Sequence, residues 1–276
     1  MRALRLIVAS VRDFGLVETV DRLPMYLLSP LTRRRLERRR LELLSADGFD
    51  DAHGTDTAAI LSGIARGPAV SRSGHVLSPY ETSSESAIRM PLDSLALDAS
   101  RFTFVDLGCG KGKPLMVAAS YGFRRLVGVD ISAACVEVAR RNVARYGPEK
   151  IDQSRVRLIV GDVEDFEFPS GPLVVYLFNP FSGAVLERVV ARLERSLTDQ
   201  PRQAAIVYLN PAAAGPIGRS ELFERVPTIA DRMPMAAEGV PPYQRAVVFV
   251  TQIEGGKWSR RECSNTLPAR SRAGTP

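Results

Sequence analysis

Four short apolar runs of this 276-residue chain end at side chains suited to holding a nucleotide-type ligand. Phe104 to Leu107 carries Asp106 and breaks into the alternating glycines Gly108, Gly110 and Gly112. The next run ends Val127-Gly128-Val129-Asp130, the third Val160-Gly161-Asp162, and the fourth Phe178-Asn179-Pro180-Phe181. Glycines remove the Cβ atoms that would keep a ligand off the backbone and allow positive φ. A carboxylate at a strand end can accept hydrogen bonds from both hydroxyls of a ribose, and another can receive the exocyclic amine of adenine. An aspartate two residues before the first glycine would repel a pyrophosphate and suits a positively charged cofactor with an amino group.

Spacing excludes the two commonest glycine-rich phosphate sites. A P-loop needs a lysine followed by serine or threonine after its last glycine, but Lys111 and Lys113 flank Gly112 and Pro114 follows. The dinucleotide fingerprint fails because the third glycine comes one residue early. Helix capping is the competing use of Asp106, Asp130 and Asp162.

These residues need a sheet to align them. Phe104 to Leu107, Leu126 to Val129, Val156 to Val160, Val174 to Phe178, Ala204 to Leu209 and Ala246 to Val250 are rich in branched residues without clean alternation, as expected of strands buried on both faces. Helical patterns separate most of them. Ser132 can cap a helix with Val136, Ala139 and Val143 on one face, and Ser182 another with Leu186, Val189, Val190, Leu193 and Leu197 on one stripe. Strands alternating with such helices predict an α/β fold, a doubly wound, mostly parallel sheet with helices on both faces. Ahead of it, Pro79 to Ser86 leads into a helix that ends near Leu95 or Leu97; its dense hydroxyls and carboxylates can cap that helix or line the cofactor mouth.

The motif series resembles the class I, Rossmann-like S-adenosylmethionine-dependent methyltransferases. Val105 to Gly112 is similar to that family's first motif, Gly128 to Asp130 to the second, Gly161-Asp162 to the third and Asn179-Pro180-Phe181 to the fourth, and the resemblance spans about Tyr80 to Val250. It implies a seven-stranded sheet whose last strand, Ala246 to Val250, inserts antiparallel. It also implies S-adenosyl-L-methionine as cofactor, bound by Asp106, Gly108, Gly110, Gly112, Asp130, Ile131, Asp162, Val163 and Asn179. Tyr80 and Thr82 lie in a segment that resembles the cofactor-closing stretch of the Dot1-like, lysine-methylating type. Asn179, Pro180 and Phe181 would orient the acceptor, although the second proline usual in amino-methylating enzymes is missing. The expected activity is methyl transfer to a nitrogen or oxygen of a protein side chain or small molecule. The alternatives are an RNA or DNA methyltransferase, or a non-catalytic S-adenosylmethionine-binding interaction module.

Composition narrows the remaining options. Three scattered cysteines and two histidines offer neither a disulfide framework nor metal-ligand spacing, so no metal is expected. The net charge of +6 is concentrated in Arg33 to Arg40, which carries +5, and Lys257 to Pro276, which carries +4; the rest is mildly acidic. Nucleic acid, if bound, would be held by the arginine helix rather than by the body. No apolar run reaches the roughly 18 residues of a membrane span, and a cytoplasmic location is expected.

The sequence divides into an N-terminal helical, arginine-rich extension (1–45), a connector (46–79), the cofactor-binding domain (80–256) and a disordered basic tail (257–276). In the extension, Leu4, Ile7, Val8 and Val11 form an amphipathic face able to pack on the domain, on a subunit, or peripherally on a membrane. Ser29-Pro30 opens a second helix running through Leu44. A short helix is expected at about Thr57 to Ile64 in the connector.

Overall fold

The computed structural model describes residues 47–58, 82–178, 181, 183–211, 214–227, 246–252 and 258. The two N-terminal helices, the arginine run, Tyr80, Asn179, Pro180, the cap Ser182 and the tail beyond Trp258 lie outside these residues. So does most of the expected Thr57 to Ile64 helix, of which Thr57 and Ala58 form a bend.

Seven strands form one sheet: β1 (Thr103–Leu107), β2 (Arg125–Asp130), β3 (Val156–Val160), β4 (Leu173–Phe178), β5 (Ala204–Leu209), β6 (Phe223–Val226) and β7 (Ala246–Thr251). Their spatial order is β3-β2-β1-β4-β5-β7-β6. β1 to β5 pair parallel with one another, and β7 runs antiparallel between β5 and β6. The expected seven strands and the inverted last one are therefore present. The chain runs outward from β1 through β2 to β3, then crosses back from β3 to β4 on the other side of β1; this reversal at β1 is the switch point where open α/β sheets bind ligands.

Two strands differ from the sequence reading. β6 escaped it because Glu224 and Arg225 are exposed in a four-residue edge strand, so no apolar run marks it. β3 was expected to be buried on both faces but is the opposite edge strand, and none of its residues is fully buried.

The described α-helices are α1 (Phe49–His53), α2 (Glu85–Asp93), α3 (Lys113–Ala119), α4 (Ala133–Tyr146), α5 (Gly183–Asp199) and α6 (Gly215–Gly218). α2, α3 and α4 share one core layer with Phe104 and Tyr176, whereas α5 and α6 cover the other face over Val105, Leu107 and Ile206. Successive residues of β1 thus feed opposite layers, which is why the run has no polar alternation. α5 docks through the six positions Val185, Leu186, Val189, Val190, Leu193 and Leu197, each burial contributing about 1.5–3 kcal/mol.

Caps fix where the helices begin. The Ser132 hydroxyl accepts from the Cys135 N–H to start α4, and Ser84 accepts from the Ala87 N–H to start α2. α2 ends at Asp93, slightly before the expected boundary. Two segments assigned elsewhere by sequence pack on this body: Phe49 of α1 is buried in the core, and Trp258 stacks obliquely on Phe102 with centroids 5.5 Å apart.

Candidate functional site

The chain leaves β1 through a turn in which Gly108, Gly110 and Gly112 all have positive φ (83°, 49° and 84°). Each is a conformation that side chains other than glycine rarely adopt. The N–H groups of Gly108 and Cys109 donate to the Val129 carbonyl, folding the turn over the end of β2. Close approach there requires Gly128: a Cβ at that position would lie 2.8 Å from Leu115 Cδ1 and 2.9 Å from Cys109 Sγ.

Asp106 pairs in register with Gly128 on one side and Tyr176 on the other. It is 2 % exposed, and its Oδ2 has no hydrogen-bond partner. Burial, reinforced by the nearby Asp130, pushes its carboxyl well above the usual range. A buried carboxylate with an unfilled acceptor position is costly unless a donor or cation completes it. Tyr176 is also buried; its hydroxyl lies 3.1 Å from Ser83 Oγ, tying residues 82–84 to the centre of the sheet.

Asp130 closes the next strand. Its Oδ2 accepts from the Gly110 N–H (2.9 Å) and its Oδ1 from the Ser132 N–H (2.8 Å). Burial raises its pKa, and these two donors counteract the rise. One carboxylate thus braces both the glycine turn and the start of α4, while an ionised carboxylate retains lone pairs for further donors. Asp162 accepts from the Glu164 N–H at 3.0 Å and caps a 3-10 turn at Val163–Asp165, so the capping use foreseen as the alternative is realised there. Ile131 and Val160 are the two large apolar side chains exposed on the described surface, at 37 % and 47 %, and they follow β2 and end β3 respectively. An apolar shelf beside acidic strand ends suits a planar base.

The candidate residues divide as follows. Asp106, Gly108, Gly110, Gly112, Asp130, Ile131, Asp162 and Val163 come together at the carboxyl edge of β1, β2 and β3. Thr82 is buried beside Ser83, whose hydroxyl meets Tyr176. Phe181 is only 3 % exposed and packs in the α5 core layer, which makes it an anchor of the strand end rather than an open surface. Among the described residues no group of His, Cys, Asp and Glu is arranged to hold a metal ion, and no helix is long and apolar enough to cross a membrane.

Sequence reasoning missed the environment of the two turn lysines. Lys111 is wholly buried with Nζ 2.9 Å from Asp56 Oδ1, and Lys113 is 2 % exposed with Nζ 2.6 Å from Asp47 Oδ2. It also missed Asn142, which bonds to both Asp56 and Lys111. The available signal for Asn142 was a polar residue on the otherwise apolar stripe of α4 defined by Cys135, Val138 and Ala139.

Residues 104–200 match the sequence model of a family described as a methyltransferase domain. Two curated relatives are ribosomal protein L11 methyltransferases. That of Pseudomonas fluorescens is 27 % identical over 132 residues, covering 44 % of this chain and 43 % of its own length. That of Tolumonas auensis is 29 % identical over 131 residues, covering 44 % of each. The chain thus spans less than half the length of these curated relatives. Among solved structures, cofactor-bound Rv0187 from MTB shares 17 % identity over 63 % of this chain and 83 % of its own, at a TM-score of 0.43, too low to bear on function. The family match and the aspartates at the strand ends coincide: the matched residues 104–200 include Asp106, Asp130 and Asp162 at the carboxyl edge of the seven-stranded sheet.

Proposed function

We propose that the protein is an S-adenosylmethionine-dependent methyltransferase that modifies a nitrogen or oxygen atom of a protein side chain or small molecule. The observation that carries this reading is the buried Asp106 carboxylate with an unfilled acceptor position, set under a three-glycine turn and beside Asp130 and the Ile131 shelf. Such a floor fits a ligand bearing a cationic amino group, a ribose and an adenine. The names of the two curated relatives favour a protein acceptor.

When bound, the cofactor supplies a methyl group on a sulfonium, an already activated leaving group. The protein's task is then mainly orientation and exclusion of water. Asp106 would face the amino group, and the Gly108 to Gly112 backbone would admit the methionine portion without Cβ obstruction. Asp130 would accept the ribose hydroxyls while still braced by Gly110 and Ser132, so its carboxylate is positioned before the ligand arrives. Ile131 and Val163 would flank the adenine, with Asp162 at its amine. Asn179 and the Pro180 carbonyl are assigned to the acceptor, and buried Phe181 to anchoring the chain beyond β4.

Transfer of a labelled methyl group from S-adenosylmethionine into a cell lysate, fractionated into protein, nucleic acid and small molecules, tests the reading. Label is expected in the protein or small-molecule fraction. Label in nucleic acid would replace the acceptor assignment, and no label in any fraction would contradict methyltransferase activity.

A further inference from the structure

The proposed ligand is cationic, yet the turn that would hold it contains two lysines. Each is turned into the protein and met there by an aspartate from residues 47–58, which lie ahead of the family-matched segment. We infer that Asp56 and Asp47 are electrostatic positioning residues of the cofactor site: by neutralising Lys111 and Lys113 they let the glycine turn accept a cationic ligand. This inference rests on the cofactor reading above.

The geometry is built rather than incidental. A buried ammonium requires a counter-charge, and Lys111 Nζ finds Asp56 Oδ1 at 2.9 Å. Asp56 is held in turn by Asn142 of α4: its N–H donates to Asn142 Oδ1 (2.9 Å), and its carbonyl accepts from Asn142 Nδ2 (3.1 Å). The same Nδ2 donates to the Lys111 carbonyl at 3.0 Å, so one amide clamps both members of the pair. Lys113 Nζ meets Asp47 Oδ2 at 2.6 Å and lies 4.8 Å from the Phe49 ring centroid. Asp47 also accepts the Glu85 N–H at 2.8 Å, joining the turn to the start of α2 next to Ser83 and Ser84.

Residues 47–58 have their own internal support, as a fixed strap requires. The Asp50 carboxylate accepts from Thr55 Oγ1, from Thr57 through both its N–H and its Oγ1, and from the Ala58 N–H. Burial works to raise the Asp50 pKa, but these donors outweigh it and hold the carboxyl below the usual range. Phe49 fixes the other end in the core beside Tyr146.

S-adenosylmethionine and S-adenosylhomocysteine differ at sulfur by a methyl group and one positive charge. A unit charge gained or lost at the turn therefore acts mainly on the first ligand, by about three- to tenfold in affinity. Calorimetric titration of both ligands into the full-length wild type, Asp56→Asn, Lys111→Met and the double variant reads this directly. Asp56→Asn, which removes a negative charge, should raise the ratio of the S-adenosylmethionine Kd to the S-adenosylhomocysteine Kd by about three- to tenfold. Lys111→Met should lower the ratio, and the double variant should return it near the wild-type value. Should Asp56→Asn fail to fold, Lys111→Met carries the test, because it removes the buried charge and leaves a partly exposed carboxylate. Equal changes for both ligands, or ratio shifts in the same direction for both single variants, overturn the inference while the cofactor reading stands. Failure of the wild type to bind either ligand overturns both.

Discussion

Asp106→Asn separates the stability of the fold from the requirements of the site. In the apo protein the Asp106 carboxylate is buried, repelled by Asp130 and left with an unfilled acceptor position. The amide is isosteric and uncharged, and its NH2 can donate, so the substitution should stabilise the apo protein by about 1–2 kcal/mol. For a chain of this size that is a Tm increase of about 2–6 °C. The pH dependence has a defined sign. Because the folded pKa of Asp106 is raised above its usual 3.8, the native state holds the proton to higher pH than the unfolded state does. The stability contributed by wild-type Asp106 is therefore complete below pH 3.8 and is lost as pH rises through the folded pKa. The advantage of asparagine should be small in acid and grow towards neutral pH. Binding should move the other way: loss of a charge-assisted contact to a cationic ligand costs about 1.5–3 kcal/mol, or about 10- to 100-fold in S-adenosylmethionine affinity. Scanning calorimetry across pH, with titration of the ligand at neutral pH, measures both. A lower Tm at neutral pH, or unchanged affinity, would refute the assignment of Asp106 as the uncompensated floor of the site.

Asp130→Ala should weaken S-adenosylmethionine binding about tenfold or more, since two ribose hydrogen bonds are each worth about 1 kcal/mol and the Gly110 N–H loses its brace; calorimetric titration checks it. Gly128→Ala forces a Cβ against Leu115 and Cys109 and should destabilise by about 1–3 kcal/mol, seen as a lower midpoint in chemical denaturation. Arg202 lies before β5, at the sheet end opposite the site. The residue is 6 % exposed, and its guanidinium donates to the carbonyls of Ser196, Gln200 and Pro169 and to Ser196 Oγ. Arg202→Met should cost about 2–4 kcal/mol by stranding those acceptors, while the ligand affinity of the folded fraction stays at the wild-type value.

Buried central strands announce themselves as unbroken branched runs, and the runs for β1, β2, β4, β5 and β7 have that character, whereas edge strand β3 is interrupted by Arg157. β6 does not, because an edge strand satisfies its exposed face with Glu224 and Arg225. The grouping of Asp106, Asp130 and Asp162 at one sheet edge was legible because each lies near or just beyond the end of such a run, and a strand end fixes where a side chain stands in a doubly wound sheet. The strap was not legible. Lys111 and Asp56 are 55 residues apart and Lys113 and Asp47 are 66 apart, and no local periodicity encodes a contact of that span. Trp258 likewise sits among polar residues, where a single anchor leaves no pattern, yet it reaches Phe102. Capping was read correctly as a competing role for the aspartates, since Asp162 caps the turn after β3.

Binding of S-adenosylmethionine to the site at the ends of β1, β2 and β3 is the claim on which the rest depends. Equilibrium dialysis of labelled S-adenosylmethionine against the full-length protein, with Gly110→Val alongside, tests it most directly. Gly110 has φ 49° and donates to Asp130, so a branched side chain there would strain the turn and fill ligand space. The account predicts saturable, one-to-one binding that S-adenosylhomocysteine displaces and that is lost in the folded Gly110→Val variant. No saturable binding to the wild type, or undiminished binding to the variant, would contradict it.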